Sequence, residues 1–212
     1  MKTVIDLSYY NKVVSNNLNA DGVILRLGYT GYGSNTPTLD KSFVENFLRY
    51  NGKVPVGVYY VTLATTPEEV KRETDFVIKY LKGSRLELPV WVDVESQIKS
   101  VKWTTASKKT RSAMVALWCE TMEKAGYYVG VYANKDWLTN KLDKDALLPY
   151  DKWVAQYSSK CTYNKTPFGM WQYTSKGNGK EHGVNGNVDM SYMYKDYPTI
   201  IKKAKLNGWG VK

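Results

Sequence analysis

The chain has 212 residues, 43% of them hydrophobic, enough to bury a full core and a length that suits one large domain or two small ones. Its formal net charge of +10 suits an anionic partner such as nucleic acid, a membrane surface or an anionic polymer, without choosing among them, because the lysines and arginines are scattered over solvated helical faces such as Lys71/Arg72 and Lys108/Lys109/Arg111. Two cysteines and a single histidine argue against a zinc framework, a disulfide scaffold and a Ser-His-Asp hydrolase, and no apolar run is long enough to cross a bilayer.

The chain opens on MKTVIDLSYY, which lacks the apolar stretch and small-residue cleavage site of a signal peptide, so the expectation is either synthesis in the cytoplasm or a leader already removed. Strand patterns then recur along the whole length: TVIDLSYY (3–10), GVILRLGY (22–29), VPVGVYYV (54–61), LPVWVDVE (88–95), YYVGVYAN (127–134), KWVAQYS (152–158), GMWQYT (169–174) and NVDMSYM (187–193). Helical patterns separate the earlier ones. Residues 40–51 place apolar side chains at helical spacing, and 66–81 opens with a capping box from Thr66 to Glu69 with Pro67 at the first helical position. Residues 105–126 end on Gly126, a helix stop, and Cys119 beside Trp118 in that stretch reads as packing. NKDWLTNKL follows the fifth strand, and 198–205 forms the last helical segment.

Alternating strands and helices imply a largely parallel sheet, and about eight strands close naturally into a barrel. Between the sixth and eighth strands only loops are evident, SSKCTYNKTPF and TSKGNGKEHGVNGN, with His182 expected to be solvated in the second. The predicted fold is therefore a single α/β domain over 1–212, an irregular (β/α) barrel with fewer than eight helices and antiparallel pairing near its end. Gly28, Gly31 and Gly33 do not make a dinucleotide fingerprint, since its third glycine and following helix are missing.

The stretch PVWVDVESQ carries the first chemical signal. In a strand, Asp93 and Glu95 share one face while Val92 and Val94 share the other. Two carboxylates on an otherwise apolar strand are costly to bury and repel one another, so a sequence needing only a core would not place them there. Catalytic groups in such barrels sit at the C-terminal strand ends. There the other strands supply Asp6, Arg26, Tyr59 and Tyr60, Tyr132, Gln156, Trp171 with Gln172, and Asp189. Each has a plainer reading as a turn cap, a core aromatic, a backbone-bonding amide or, for Arg26, an ion-pair partner. Their convergence on one axis favours a site.

Clustered carboxylates and aromatics without thiol or imidazole fit two chemistries. Divalent-metal chemistry would use the four acids as oxygen ligands. Glycoside hydrolysis would use a protonated carboxyl to assist the leaving group and a second charge to stabilise an oxocarbenium-like state. Repulsion and burial would raise Glu95 and keep Asp93 ionised. The second chemistry also employs the tyrosines and tryptophans, as platforms for sugar faces.

These residues resemble one family almost end to end: IDLSYYN, RLGYTGYG, VPVGVYYV, PVWVDVE, GVYAN, WVAQYS, MWQYT and NVDMSYMY are similar in order and spacing to the glycoside hydrolase family 25 lysozymes, the Chalaropsis-type N-acetylmuramidases of phage endolysins and autolysins. The resemblance implies cleavage of the β-1,4 bond from N-acetylmuramic acid to N-acetylglucosamine in peptidoglycan, with no cofactor and no metal. It implies Glu95 as general acid/base, Asp93 as its orienting neighbour, and Asp6 and Asp189 completing the acidic cluster. It further implies action on the bacterial wall, after synthesis in the bacterial cytoplasm and release or export, and a wall-binding module that relatives often carry after such a domain; acidic rather than basic strand ends weigh against a nucleic-acid partner, and the lack of a long apolar run weighs against membrane insertion. The YYVT of the third strand departs from the Tyr-His pair of many relatives. A chitinase-like enzyme would want further aspartates upstream of Asp93, and a silent sugar-binding barrel would be expected to lose Glu95.

Overall fold

The strand–helix alternation does close on itself. The computed structural model describes residues 1–31, 34–94 and 101–210. Seven strands run parallel in chain order: β1 (Lys2–Leu7), β3 (Gly22–Thr30), β5 (Val56–Val61), β6 (Val90–Asp93), β7 (Val129–Asn134), β8 (Asp151–Ala155) and β9 (Met170–Asn178). The eighth, β11 (Asn187–Met193), inserts antiparallel between β9 and β1 and completes the barrel. All eight sequence-predicted strands are present, and the antiparallel pairing falls at the predicted end. Two short additions escaped the periodicity. β2 (Lys12–Val13) pairs with β10 (Val184–Asn185), and β4 (Pro37–Leu39) is a flap on β3.

Helices cover one side of the barrel. They are α1 (Phe43–Tyr50), α2 (Pro67–Leu81), α3 (Val101–Thr105) and α4 (Lys108–Lys124), with α5 (Tyr197–Ala204) last. The capping box of α2 forms as read, Thr66 accepting from the Glu69 N–H. Gly126 adopts φ +89° just beyond α4, a conformation only glycine takes without strain. The segment after β7 is a single π-helical turn, Trp137–Lys141. Between β8 and β11 the only described helix is a 3-10 turn, Gly179–His182. The imidazole in that turn is 1% exposed, so His182 is a buried residue and not the solvated one its glycine-rich surroundings predicted.

Strand alternation sorts the core into two layers. Val23, Val56, Val58, Val90, Val92 and Val131 face outward and pack under the helices. Val4, Ile24, Trp91, Trp153, Met170 and Met193 fill the barrel interior. Tyr197 and Ile201 of α5 plug the interior at the strands' N-terminal end, where the Tyr197 hydroxyl donates to Asp151 at 2.8 Å. The interior accepts two tryptophans only because neighbouring positions are empty. A Cβ at Gly130 would lie 2.3 Å from the Trp91 ring. Gly28, one of the glycines considered for nucleotide binding, lets β4 approach: its Cβ would sit 2.5 Å from the Thr38 carbonyl. Gly33 lies outside the described residues.

Candidate active site

With the lower interior filled, the upper interior at the strands' C-terminal ends receives whatever the same alternation places above it. On β1 that is Asp6, on β3 Arg26, on β5 Tyr59, on β6 Asp93, on β7 Tyr132, on β9 Gln172 and on β11 Asp189. A cleft of about 520 Å3 opens over this layer, lined among others by Tyr9, Tyr10, Arg26, Tyr59 and Asp189. Below this layer lies the buried Trp153, against which Tyr132 and Tyr59 pack edge-on at 4.5 and 6.4 Å, and whose indole N–H donates to Ser191 at 3.0 Å. Tyrosine rings in the lining, with a carboxyl at one side, make a surface of alternating apolar and polar character.

The carboxyls are held by the sheet itself. Asp6 and Asp189 are direct partners in the antiparallel β1–β11 ladder, and their side chains are hydrogen-bonded to one another. Two carboxyls can do this only with a proton between them. Burial pushes Asp189 up to about 6, partly offset by the bond to Asp6. Asp6 is the more enclosed of the two, 6% exposed, and accepts from the Gln172 amide at 2.9 Å. The Gln172 carbonyl in turn accepts from the hydroxyls of Tyr132 at 2.8 Å and Tyr157 at 3.1 Å. Asp93 is 2% exposed at the end of β6, beside its register partner Tyr132. Glu95 lies outside the described residues.

Arg26 is committed to an ion pair, donating through Nε to Asp40 at 2.6 Å. Asp40 also accepts from the Tyr9 N–H at 3.1 Å, so the pair anchors the loop that carries Tyr9 and Tyr10. The Arg26 guanidinium lies 4.9, 5.1 and 5.4 Å from the ring centres of Tyr9, Tyr10 and Tyr29. One wall of the cleft is thus cationic and aromatic, and another is acidic.

Three predicted site residues lie elsewhere. Tyr60 is fully buried on the outer face, against Phe76 and Trp118, with its hydroxyl bonded to Thr30 at 2.9 Å. Trp171 is also on the outer face, packed on Tyr173 and Tyr192, and donates to the Gln156 carbonyl at 2.8 Å. The Gln156 side chain is spent on its own loop, bonding Ser158, Lys160 and Thr162. Strand parity separates Tyr59 from Tyr60 and Gln172 from Trp171, and parity is legible only once the register is known.

Two participants gave no signal in the sequence. Tyr157 follows β8 and acts through the folded loop. Glu73 sits on α2 in a helical pattern that reads as a surface acid, yet it is 2% exposed. It accepts from Thr30 Oγ1 at 2.5 Å, Thr62 Oγ1 at 2.6 Å and the Leu63 N–H at 3.1 Å, bracing the ends of β3 and β5, and burial pushes it up to about 7. The Thr62 N–H donates to the Asp93 carbonyl at 3.1 Å, so this brace reaches the end of β6.

Comparison with known proteins agrees with this architecture. No curated protein gives a significant match. Among solved structures, the modular autolysin LytC from Streptococcus pneumoniae is similar over 90% of this chain at 28% identity, TM-score 0.77, and has also been solved in complex with a synthetic peptidoglycan ligand. This chain spans 46% of that chain, somewhat under half its length. The catalytic domain of endolysin ply40 from bacteriophage P40 of Listeria monocytogenes shares the fold over 95% of this chain and 97% of its own, at 22% identity and TM-score 0.73. So does a family 25 glycosyl hydrolase from Bacillus anthracis, over 95% and 93%, at 18% identity and TM-score 0.74. Residues 5–182 match the profile described as Glycosyl hydrolases family 25, which takes in β1 through the turn that carries His182. The chain belongs to glycosyl hydrolase family 25.

Proposed function

We propose that the protein is a lysozyme-type peptidoglycan hydrolase, an N-acetylmuramidase that cleaves the β-1,4 bond from N-acetylmuramic acid to N-acetylglucosamine. The observation that carries this reading is the proton-sharing carboxyl pair Asp6/Asp189 set into an aromatic cleft at the C-terminal end of a family 25 barrel. Glycoside hydrolysis needs a protonated carboxyl and a carboxylate side by side, and burial of one acid beside another is how a protein keeps both at working pH.

In this reading Glu95 delivers a proton to the glycosidic oxygen as its bond to C1 breaks, and takes a proton back from the water that adds to C1. Asp93, two residues earlier in the sequence, orients Glu95 and meets the positive charge that develops at the sugar ring. Asp6 and Asp189 hold the ring substituents, one as acceptor and one as donor. Tyr59 and Tyr132 over Trp153 supply faces for the pyranose rings. The net charge of +10 favours adsorption to the anionic polymers of Gram-positive walls.

The test is clearing of purified Gram-positive walls by wild type beside Glu95→Gln. Gln is nearly isosteric and has no acidic proton, so a loss of about two to four orders of magnitude is expected with normal folding. Undiminished clearing by the variant would remove Glu95 from the mechanism. Borohydride reduction of the wild-type digest should yield muramicitol; glucosaminitol alone would identify a glucosaminidase instead.

A further inference from the structure

The outer face of β9, β11 and β1 lacks the helical cover found elsewhere on the barrel. The connections from β8 to β9, from β9 to β11 and from β1 to β3 hold no α-helix among the described residues. Strand parity turns Thr3, Tyr192 and Trp171 outward there, in register across the three strands. A groove of about 500 Å3 lies on this face, bounded by residues 18–21 and by the turn that carries His182. It is distinct from the cleft at the strands' C-terminal ends, and no described residue lines both.

The groove combines a rigid aromatic surface with polar groups of both kinds. Tyr173 and Tyr192 are half-buried and stack at 4.2 Å with 14° between their rings, and Trp171 abuts them at 5.9 and 5.7 Å. Asp21 and Glu181 are exposed. Asp21 accepts the Thr3 N–H through Oδ2 at 2.7 Å, and Glu181 accepts from Asn178 through Oε1 at 2.8 Å, so each keeps an oxygen for a further donor. In a chain of net charge +10, no lysine or arginine is among the described residues that line the groove. His182 lines it at 1% exposure, and neither ring nitrogen has a hydrogen-bond partner among the described residues. Burial holds this imidazole below its ordinary range, against the pull of Glu181, so at neutral pH it has one N–H to donate and one nitrogen to accept. Leaving both unmet in a buried place is costly.

This lining separates three ligand chemistries. An anion would face two carboxylates with no cation to offset them. An ammonium group would suit the carboxylates but only donates, so the imidazole N–H would stay unmet. Sugar hydroxyls donate and accept, serving carboxylates and imidazole together, while the C–H face of the ring packs on tyrosine. We propose that this groove is a second, non-catalytic site that binds an uncharged saccharide of the N-acetylglucosamine type on the outer face of the barrel. The saccharide class comes from the lining; N-acetylglucosamine within that class rests on the muramidase reading. A glycan strand held here tethers the enzyme to its polymer away from the bond being cut, which raises the local substrate concentration.

His182 is the single histidine of the chain, so its ring C–H resonances report on the groove by NMR without further assignment. Triacetylchitotriose added to the wild type should move them saturably, with half-saturation at about 1 mM or below. Asp21→Asn/Glu181→Gln removes both charged acceptors at exposed positions. It should weaken this binding about ten-fold and leave turnover of a soluble glycan fragment within about two-fold of wild type. Unmoved His182 resonances overturn the proposal. So does an equal response in wild type and double variant, which would mean that the oligomer acts from the catalytic cleft. A response to cadaverine with none to the trimer would make the groove an ammonium site and overturn it too. Should the double variant fail to fold, Glu181→Gln alone should weaken binding about three-fold, and undiminished binding overturns the proposal. A wild type that binds the trimer at His182 yet clears no walls would sink the muramidase reading and leave the groove. Clearing of walls with unmoved His182 resonances would sink the groove alone.

Discussion

Asp6 and Asp189 stand opposite one another on antiparallel strands and share a hydrogen bond, although 182 residues lie between them in sequence. The antiparallel insertion of β11 creates this pair. An eighth parallel strand, with β11 reversed, would carry the second aspartate to the opposite end of the barrel.

The pair gives a pH dependence with a definite sign. Asp189 keeps its proton below about 6 and loses it above. If that proton is needed in the cleft, kcat/KM should fall as pH rises through 6. Asp189→Asn offers a permanently neutral donor to Asp6, so its profile should be flat there, at a rate lower by roughly ten- to a hundredfold. A limb near 6 that persists in the variant would assign the titration to another group.

Glu73 makes a second pH-dependent contribution, on stability. Burial raises it from 4.5 to about 7, so between those values the folded state holds a proton the unfolded chain releases. Stability is then fully present below about pH 4.5 and declines as pH rises toward 7, by at most about 3 kcal/mol. Glu73→Gln removes the ionisation. Thermal melts at pH 5 and pH 7 should show a smaller drop in Tm for the variant than for wild type, the difference being several degrees. Parallel behaviour would mean that Glu73 titrates normally.

Gly130→Ala tests the packing that clears the cleft floor. The added methyl would lie 2.3 Å from the Trp91 ring and 2.9 Å from the Asp151 carbonyl, and Trp91 is itself wedged against Trp153. Overpacking of this kind costs about 3 kcal/mol. Urea denaturation should place the midpoint well below that of wild type; an unchanged midpoint would mean that the interior has room to adjust.

The two free thiols should separate cleanly in reactivity. Cys119 is fully buried and burial pushes its thiol far up, whereas Cys161 is partly exposed. A thiol reagent should modify Cys161 in the native protein and Cys119 only on unfolding. Equal labelling of both in the native state would contradict the packing of α4.

Much of this molecule was determined locally. Hydrophobic periodicity, the Thr66 capping box and Gly126 marked the strands and helices because these signals act within a few residues. The Val92/Asp93/Val94 alternation announced carboxylate chemistry for the same reason: a strand cannot point neighbours to one face. What only the tertiary structure decided depends on register and closure. Tyr59 and Tyr60, or Trp171 and Gln172, are equivalent in sequence, and the barrel alone assigns one of each to the interior. His182 reads as solvated in a glycine-rich loop until the folded chain buries it, and Glu73 reads as a surface acid until the ends of β3 and β5 arrive beside it. The coupling of Asp6 to Asp189 belongs to neither residue alone. It exists because two acids remote in sequence are brought into one desolvated place, where both cannot be charged.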